Sequence, residues 1–188
     1  MLQGRRLLGG IKLSESLDPA VRLRSPSPLL PLPQDVPEVV AVILTCRGRI
    51  GLFKRSPFVG SDVGRWHCIT GYVDEAASTI GQAIRELREE TGLELHDIKS
   101  LIVGDILDLN DHNGASWRVH TFLAATDKRR LQLNWEHVDY RWVPYRRIQR
   151  FDGQVKWLGN VLAVFGRELV NGSNSLTRCP TTLTTGRT

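Results

Sequence analysis

The sequence predicts an α/β domain, and three observations lead there. Apolar runs of strand length fall at residues 39–45, 50–55, 98–109 and 117–125. Two other segments, 78–92 and 155–169, repeat apolar residues at helical spacing instead. Turn-forming clusters separate these runs. At 188 residues, 41% of them apolar, the chain has the material for one core with appendages.

Residues 1–37 read as a poorly ordered extension. The proline-rich run at 25–33 cannot sustain a helix or the interior of a sheet. Arg5, Arg6, Lys12, Arg22 and Arg24 among leucines resemble an organelle transit peptide, but Glu15 and Asp18 do not suit one.

The continuous apolar run at 39–45 suits a buried strand, and Arg47-Gly48-Arg49 turns it into a hairpin with 50–55. Lys54 and Arg55 close that second strand. They read first as a solvated strand end, and second as cations that offset phosphate charge. Residues 56–64 form a Gly/Pro/Ser loop, and 64–71 form a short strand.

The helix at 78–92 has Ser78 as its N-cap and Gly92 as a left-handed C-terminal cap. Ile80, Ile84, Leu87 and Thr91 share one face; Glu86, Glu89 and Glu90 fall on the other. Three carboxylates at that spacing repel one another on a bare helix. On the helix alone the favoured reading is a solvated face balanced by Arg85 and Arg88. The alternative is a hard cation such as magnesium, which suits clustered oxygen ligands.

A strand at 98–109 runs into an acidic turn (Asp105, Asp108, Asp111) closed by Gly114, and 117–125 returns as a strand. After a polar break at 127–130 comes Asn134-Trp135-Glu136-His137-Val138-Asp139-Tyr140-Arg141-Trp142, a loop feeding an aromatic strand. Leu158, Val161, Leu162, Phe165 and Leu169 line one face of a helix over 155–169. Residues 171–188, rich in Ser, Thr, Gly and Asn, read as a disordered tail.

Composition narrows the function. The net charge of +5 sits mostly in the two ends: residues 1–37 and 171–188 each carry +2, and 38–170 carries +1. A near-neutral domain argues against nucleic acid as partner. No apolar run reaches the roughly 18 residues of a membrane span. Cys46, Cys68 and Cys179 form no CxxC and cannot all pair, which fits a reducing compartment and a cytoplasmic location. There is no GxGxxG, no Gly-rich Lys loop, no GxSxG and no HExxH. The histidines read as structural or exposed, with more weight on His120 and His137. The tryptophans read as core or rim, with Trp66 and Trp117 as candidates to stack a planar group.

The wider string around the acidic helix is more specific. Gly71, then Arg85-Glu86-Leu87-Arg88-Glu89-Glu90-Thr91-Gly92-Leu93, resembles the Nudix box, G-x5-E-x7-R-E-U-x-E-E-x-G-U with U apolar. One position departs: Ala77 stands where the box has its first Glu, with Asp74 and Glu75 close by. The Trp66-x-x-Ile69-Thr70-Gly71 run resembles the dihydroneopterin triphosphate pyrophosphatase subgroup, which also acts on deoxynucleoside triphosphates. The Glu136-His137-x-x-Tyr140-Arg141-Trp142 run resembles that subgroup and the diadenosine tetraphosphate hydrolases.

The resemblance covers residues 38–170 and implies an α/β/α sandwich with a mixed β-sheet. It implies a magnesium-dependent pyrophosphohydrolase, with manganese as an alternative ion, acting on a nucleoside-diphosphate-linked or pterin or nucleoside triphosphate small molecule. Glu86, Glu89 and Glu90 are the implied metal ligands. Gly71 would give the metal close backbone approach, and Glu136 would reach it from its loop, with Asp139 as runner-up. Glu90 or Glu136 is the candidate base, and Arg85 would hold a glutamate by a charge-assisted hydrogen bond. Lys54, Arg55 and Trp66 are candidate substrate contacts. A homodimer is compatible with the chain. Ala77 keeps a second reading open, a Nudix-like ligand-binding or regulatory module without catalysis.

Overall fold

A computed structural model describes residues 21–23, 36–74, 76–110 and 114–174. The apolar runs become strands of one mixed sheet. In chain order they are β1 (Val21–Leu23), β2 (Glu38–Cys46), β3 (Arg49–Arg55), β4 (Trp66–His67), β5 (Ile69–Tyr72), β6 (Ile98–Asn110), β7 (Ser116–Thr126) and β8 (His137–Pro144). The order across the sheet is β1-β6-β7-β2-β3-β4, with β5 paired to β2 and β8 to β3. β2 runs parallel to β7 along its whole length and antiparallel to β5 and β3.

The hairpin joining β2 and β3 turns on Arg47 and Gly48, with φ of 48° and 66°. Two consecutive left-handed residues match the natural twist of the flanking strands. From there β2 is buried on both faces. Val39, Ala41 and Ile43 point into one apolar cluster, with Leu158, Val161 and Phe165. Val40, Val42 and Leu44 point into the other, with Ala83, Leu87 and Leu93. The period-two alternation of a strand produces both clusters from one run, and each fully buried Val or Leu contributes about 1.5–3 kcal/mol.

Helices therefore cover both faces, and the expected α/β/α sandwich is the architecture. Helix α1 (Thr79–Thr91) lies over one face. The short α2 (Tyr145–Ile148) follows β8, and α3 (Leu158–Val164) and α4 (Gly166–Asn174) lie over the other face. The caps of α1 are as expected: the Ser78 hydroxyl accepts from the Gly81 amide, and Gly92 sits at φ 66° with its amide donating to Arg88.

Four details differ from expectation. The segment at 64–71 is two strands, β4 on β3 and β5 on β2, with Cys68 between them. The helix expected at 155–169 is two, broken at Phe165, whose fully buried ring lies where a side chain on Gly104 would stand. Val21–Leu23, inside the expected disordered extension, pairs in parallel with Leu101–Val103; the rest of 1–35 lies outside the described residues. Helix α4 continues to Asn174, past the expected domain end at 170, and 175–188 lie outside the described residues. Among the described residues no helix is long and apolar enough to cross a membrane.

Candidate active site

Helix α1 does not present its glutamates to solvent as expected. Glu86 and Glu90 are buried, at 8% and 1% exposure, and Glu89 alone of the three is exposed. Ile80 and Ile84, expected to face the core, are half-buried. The helix is rolled so that Ala83 and Leu87 meet the core while the row Gln82-Glu86-Glu90 is turned inward. β5 makes room for that row. A side-chain carbon on Gly71 would overlap the Glu86 carboxylate, so a glycine there leaves the carboxylate its present place. The Gln82 side-chain amide donates to Glu86 at 2.6 Å.

Glu90 lies deeper. Its Oε2 stands 3.3 Å from His137 Nδ1 at the start of β8. The Glu90 oxygens and the His137 ring nitrogens make no well-formed hydrogen bond, although the Thr70 backbone offsets part of the cost of burying the Glu90 carboxyl. Burial, followed by the charges of Glu136 and Glu86, pushes the Glu90 carboxyl well above its ordinary range. Burial, with Glu89 and Glu136, raises Glu86 in the same way. Burial and then the Arg55 charge lower His137 to about 4, so its ring is neutral.

Glu136 comes from the loop before β8. Its carbonyl accepts from the Ser56 amide at 2.7 Å, its amide donates to Asn134 Oδ1 at 2.9 Å, and Asn134 Nδ2 donates to Glu136 Oε1 at 3.3 Å. Arg55, at the end of β3, donates through Nε to the Ser61 carbonyl at 2.9 Å, which ties it to the loop at 56–64.

These residues surround a cavity of about 820 Å³. Arg55, Gly71, Arg85, Glu86, Glu89 and Glu136 all line it, and Glu90 lies buried beneath. Tyr72 and Trp117 form an aromatic pair on its wall, with ring centroids 5.8 Å apart. The cavity thus joins an acidic floor flanked by two guanidinium groups to an aromatic wall.

Several expected contacts are corrected. Lys54 and Trp66 are cross-strand partners, and the pairing with β8 shifts register between Lys54 and Arg55, so the two cations are not equivalent. Neither lines the cavity; Trp66 packs edge-on against Phe151, centroids 5.3 Å apart. Asp139 is paired with Arg141 at 3.0 Å, outside the cavity. His120 binds Glu38 at 2.7 Å. Arg85 reaches Asp74 rather than a glutamate of its own helix. Ala77 is half-buried just before the N-cap, its amide donating to the Asp74 carbonyl at 3.0 Å; Glu75 lies outside the described residues.

Among the lining residues that had no part in the sequence-based site are Gln82, Tyr72, Trp135 and Trp157. Gln82 was findable, since it precedes Glu86 by one helical turn. The aromatic residues come from three distant segments, and no local spacing announces them.

A divalent cation fits the donor chemistry. Among the described residues no three His, Cys, Asp or Glu side chains already converge as a cage. The buried, unpartnered oxygens of Glu90 and the mutual repulsion of Glu86, Glu90 and Glu136 are what a hard cation relieves.

Residues 35–165 match the family model of the NUDIX domain. No curated protein matches the chain in sequence. Solved structures share the fold. A MutT protein from Methanosarcina mazei aligns with a TM-score of 0.55 at 20% identity, over 79% of this chain and 100% of that one. The dihydroneopterin triphosphate pyrophosphohydrolase of E. coli aligns with 0.56 at 19% identity, over 71% and 95%. A bifunctional NMN adenylyltransferase/ADP ribose pyrophosphatase from Francisella tularensis, complexed with AMP and a manganese ion, aligns with 0.58 at 15% identity, over 76% and 43%.

Proposed function

Because the chain belongs to the Nudix family, whose members hydrolyse phosphoric anhydrides, we propose that it cleaves a diphosphate linkage in a nucleoside-diphosphate-linked or pterin or nucleoside triphosphate. The observation that carries this reading is the cavity itself, where buried carboxylates, two arginines and an aromatic wall meet. A phosphate chain needs the first two; a planar group needs the third.

Glu86 and Glu90 would hold a divalent cation, magnesium or manganese, with Glu89 and Glu136 at its edge. Such a cation would offset phosphate charge, including the charge that develops on the phosphoryl oxygens. The chain's own groups supply the rest. Glu136 would accept a proton from the attacking water, with Glu90 as the other candidate. The loop contacts through Ser56 and Asn134 hold Glu136 at the cavity edge. Arg55 offsets phosphate charge from the opposite wall. Arg85 and Asp74 form an ion pair that braces the loop ahead of α1. Tyr72 and Trp117 take the planar face of the leaving group or its nucleoside.

The E. coli and Francisella proteins named above act on, or bind, molecules of this kind, which supports a small-molecule partner. The ligand-binding alternative predicts affinity without turnover. A phosphate-release screen with magnesium or manganese separates the two. Its substrates are nucleoside triphosphates, dihydroneopterin triphosphate, ADP-ribose, coenzyme A and dinucleoside polyphosphates. Metal-dependent release from at least one supports the hydrolase; tight binding with no release from any of them supports the module.

A further inference from the structure

Gln82 begins the inward row of α1, one helical turn before Glu86, and only 3% of it is exposed. Its Nε2 donates to Glu86 Oε1 at 2.6 Å. An ionised carboxylate can only accept, so the nitrogen is the end of the amide that must face it. The other end, Gln82 Oε1, is buried and has no partner. A buried acceptor left unpaired is costly. The amide is therefore oriented for Glu86 rather than for its own satisfaction.

Gly71 on β5 closes the other side. The space that a Cβ would take there holds the Glu86 carboxyl, with Glu86 Oε1 nearest. That oxygen is thus held between the β5 backbone and the Gln82 amide. Glu86 Oε2 has no such partner and is not shut in as the Glu90 oxygens are, and Glu86 lines the cavity.

A carboxylate with both oxygens free can meet a cation through one or through both. Calcium takes six to eight oxygens in flexible geometry, often two from one carboxylate. Magnesium demands near-octahedral geometry and is served by single oxygens. Occupying one oxygen of a carboxylate therefore discriminates between the two ions.

We propose that Gln82 is a positioning residue that sets cation specificity: by occupying Glu86 Oε1 it makes Glu86 a one-oxygen ligand and favours magnesium over calcium. The inference rests on the reading of Glu86 as a ligand of a divalent cation, and its test needs no hydrolysis.

The full-length protein is stripped with EDTA, dialysed and titrated with manganese, whose EPR signal reports the free ion. Magnesium or calcium is then added to displace it. The parent should favour magnesium. Gln82→Met keeps the length of the side chain but has no donor. It should weaken magnesium binding about tenfold, the usual scale for losing a group that orients a metal ligand. Calcium binding should fall less or rise, so the preference narrows. Gln82→Leu replaces Gln82→Met if thermal melting in EDTA shows that the latter does not fold.

A parent with no preference for magnesium overturns the inference, as does an unchanged preference in a folded variant, whether or not both ions bind more weakly. A parent that binds none of the three ions overturns it together with the cation site. A preference that narrows in Gln82→Met, in a protein whose parent hydrolyses no phosphoric anhydride, sinks the hydrolase reading and leaves Gln82 standing. Metal-dependent hydrolysis by the parent with an unchanged preference in the variant does the reverse.

Discussion

Glu90 and His137 face each other 3.3 Å apart, each side chain 1% exposed, and no hydrogen bond joins them. A carboxyl group beside a neutral imidazole, shut away from water with its charged form disfavoured, is a costly arrangement unless something completes it. The two residues come from α1 and from the start of β8, so the fold itself brings them together.

Glu90→Gln should therefore leave the metal-free protein as stable as the parent, within about 1 kcal/mol, because an amide of the same shape replaces a carboxyl whose charged form burial disfavours. The parent's melting temperature should rise on adding magnesium or manganese, by mass action on the folded state. The variant's should not. Melting curves in EDTA and in excess metal check both. A fall of several degrees in EDTA would show that Glu90 has a structural partner.

Gly71→Ala should act through Glu86. The added carbon would overlap the Glu86 carboxylate, so the Glu86 side chain must leave its place or the strand and helix must separate, at a cost of about 1–3 kcal/mol. Gly71 is not in the left-handed region, so the effect is steric. Urea unfolding should show the loss, and a metal titration should show weaker binding than in the parent. Unchanged metal affinity would mean that Glu86 is not a ligand.

Much of this was legible in the chain. The strand at 39–45, the Arg47-Gly48 hairpin and both caps of α1 were readable because each depends on local chemistry: apolar run length, positive φ and side-chain capping. The helical face was misread because a carboxylate row normally faces water. Periodicity sorted α1 by polarity, whereas the fold turns Glu86 and Glu90 inward under a cavity. Lys54 and Arg55 were given equal standing, and only strand pairing decides which of two neighbours faces the site. The aromatic wall depends on contacts among distant segments, which no spacing reveals.

Glu136→Gln should lower kcat by about a hundredfold or more, the usual range for loss of a general base. Asp139→Asn should change it by less than about twofold, since surface substitutions away from a site have small effects. Asp139 is occupied by Arg141 and lies outside the cavity. Steady-state kinetics on both variants decide the matter; the reverse order would move the chemistry to Asp139.

Arg55→Ala should raise KM about tenfold for a triphosphate, the worth of one charge-assisted hydrogen bond. Lys54→Ala, outside the cavity, should leave KM unchanged. Equal effects of the two would mean that the phosphates do not bind along the Arg55 wall.

The most direct test measures hydrolysis of the best substrate from the phosphate-release screen by the parent and by Glu90→Gln. Each is assayed with magnesium or manganese and again with EDTA. The parent should turn over only with metal, and Glu90→Gln should lose most of that activity while melting like the parent in EDTA. Full turnover in EDTA, or full turnover by Glu90→Gln, would contradict a metal-dependent site built on the buried face of α1.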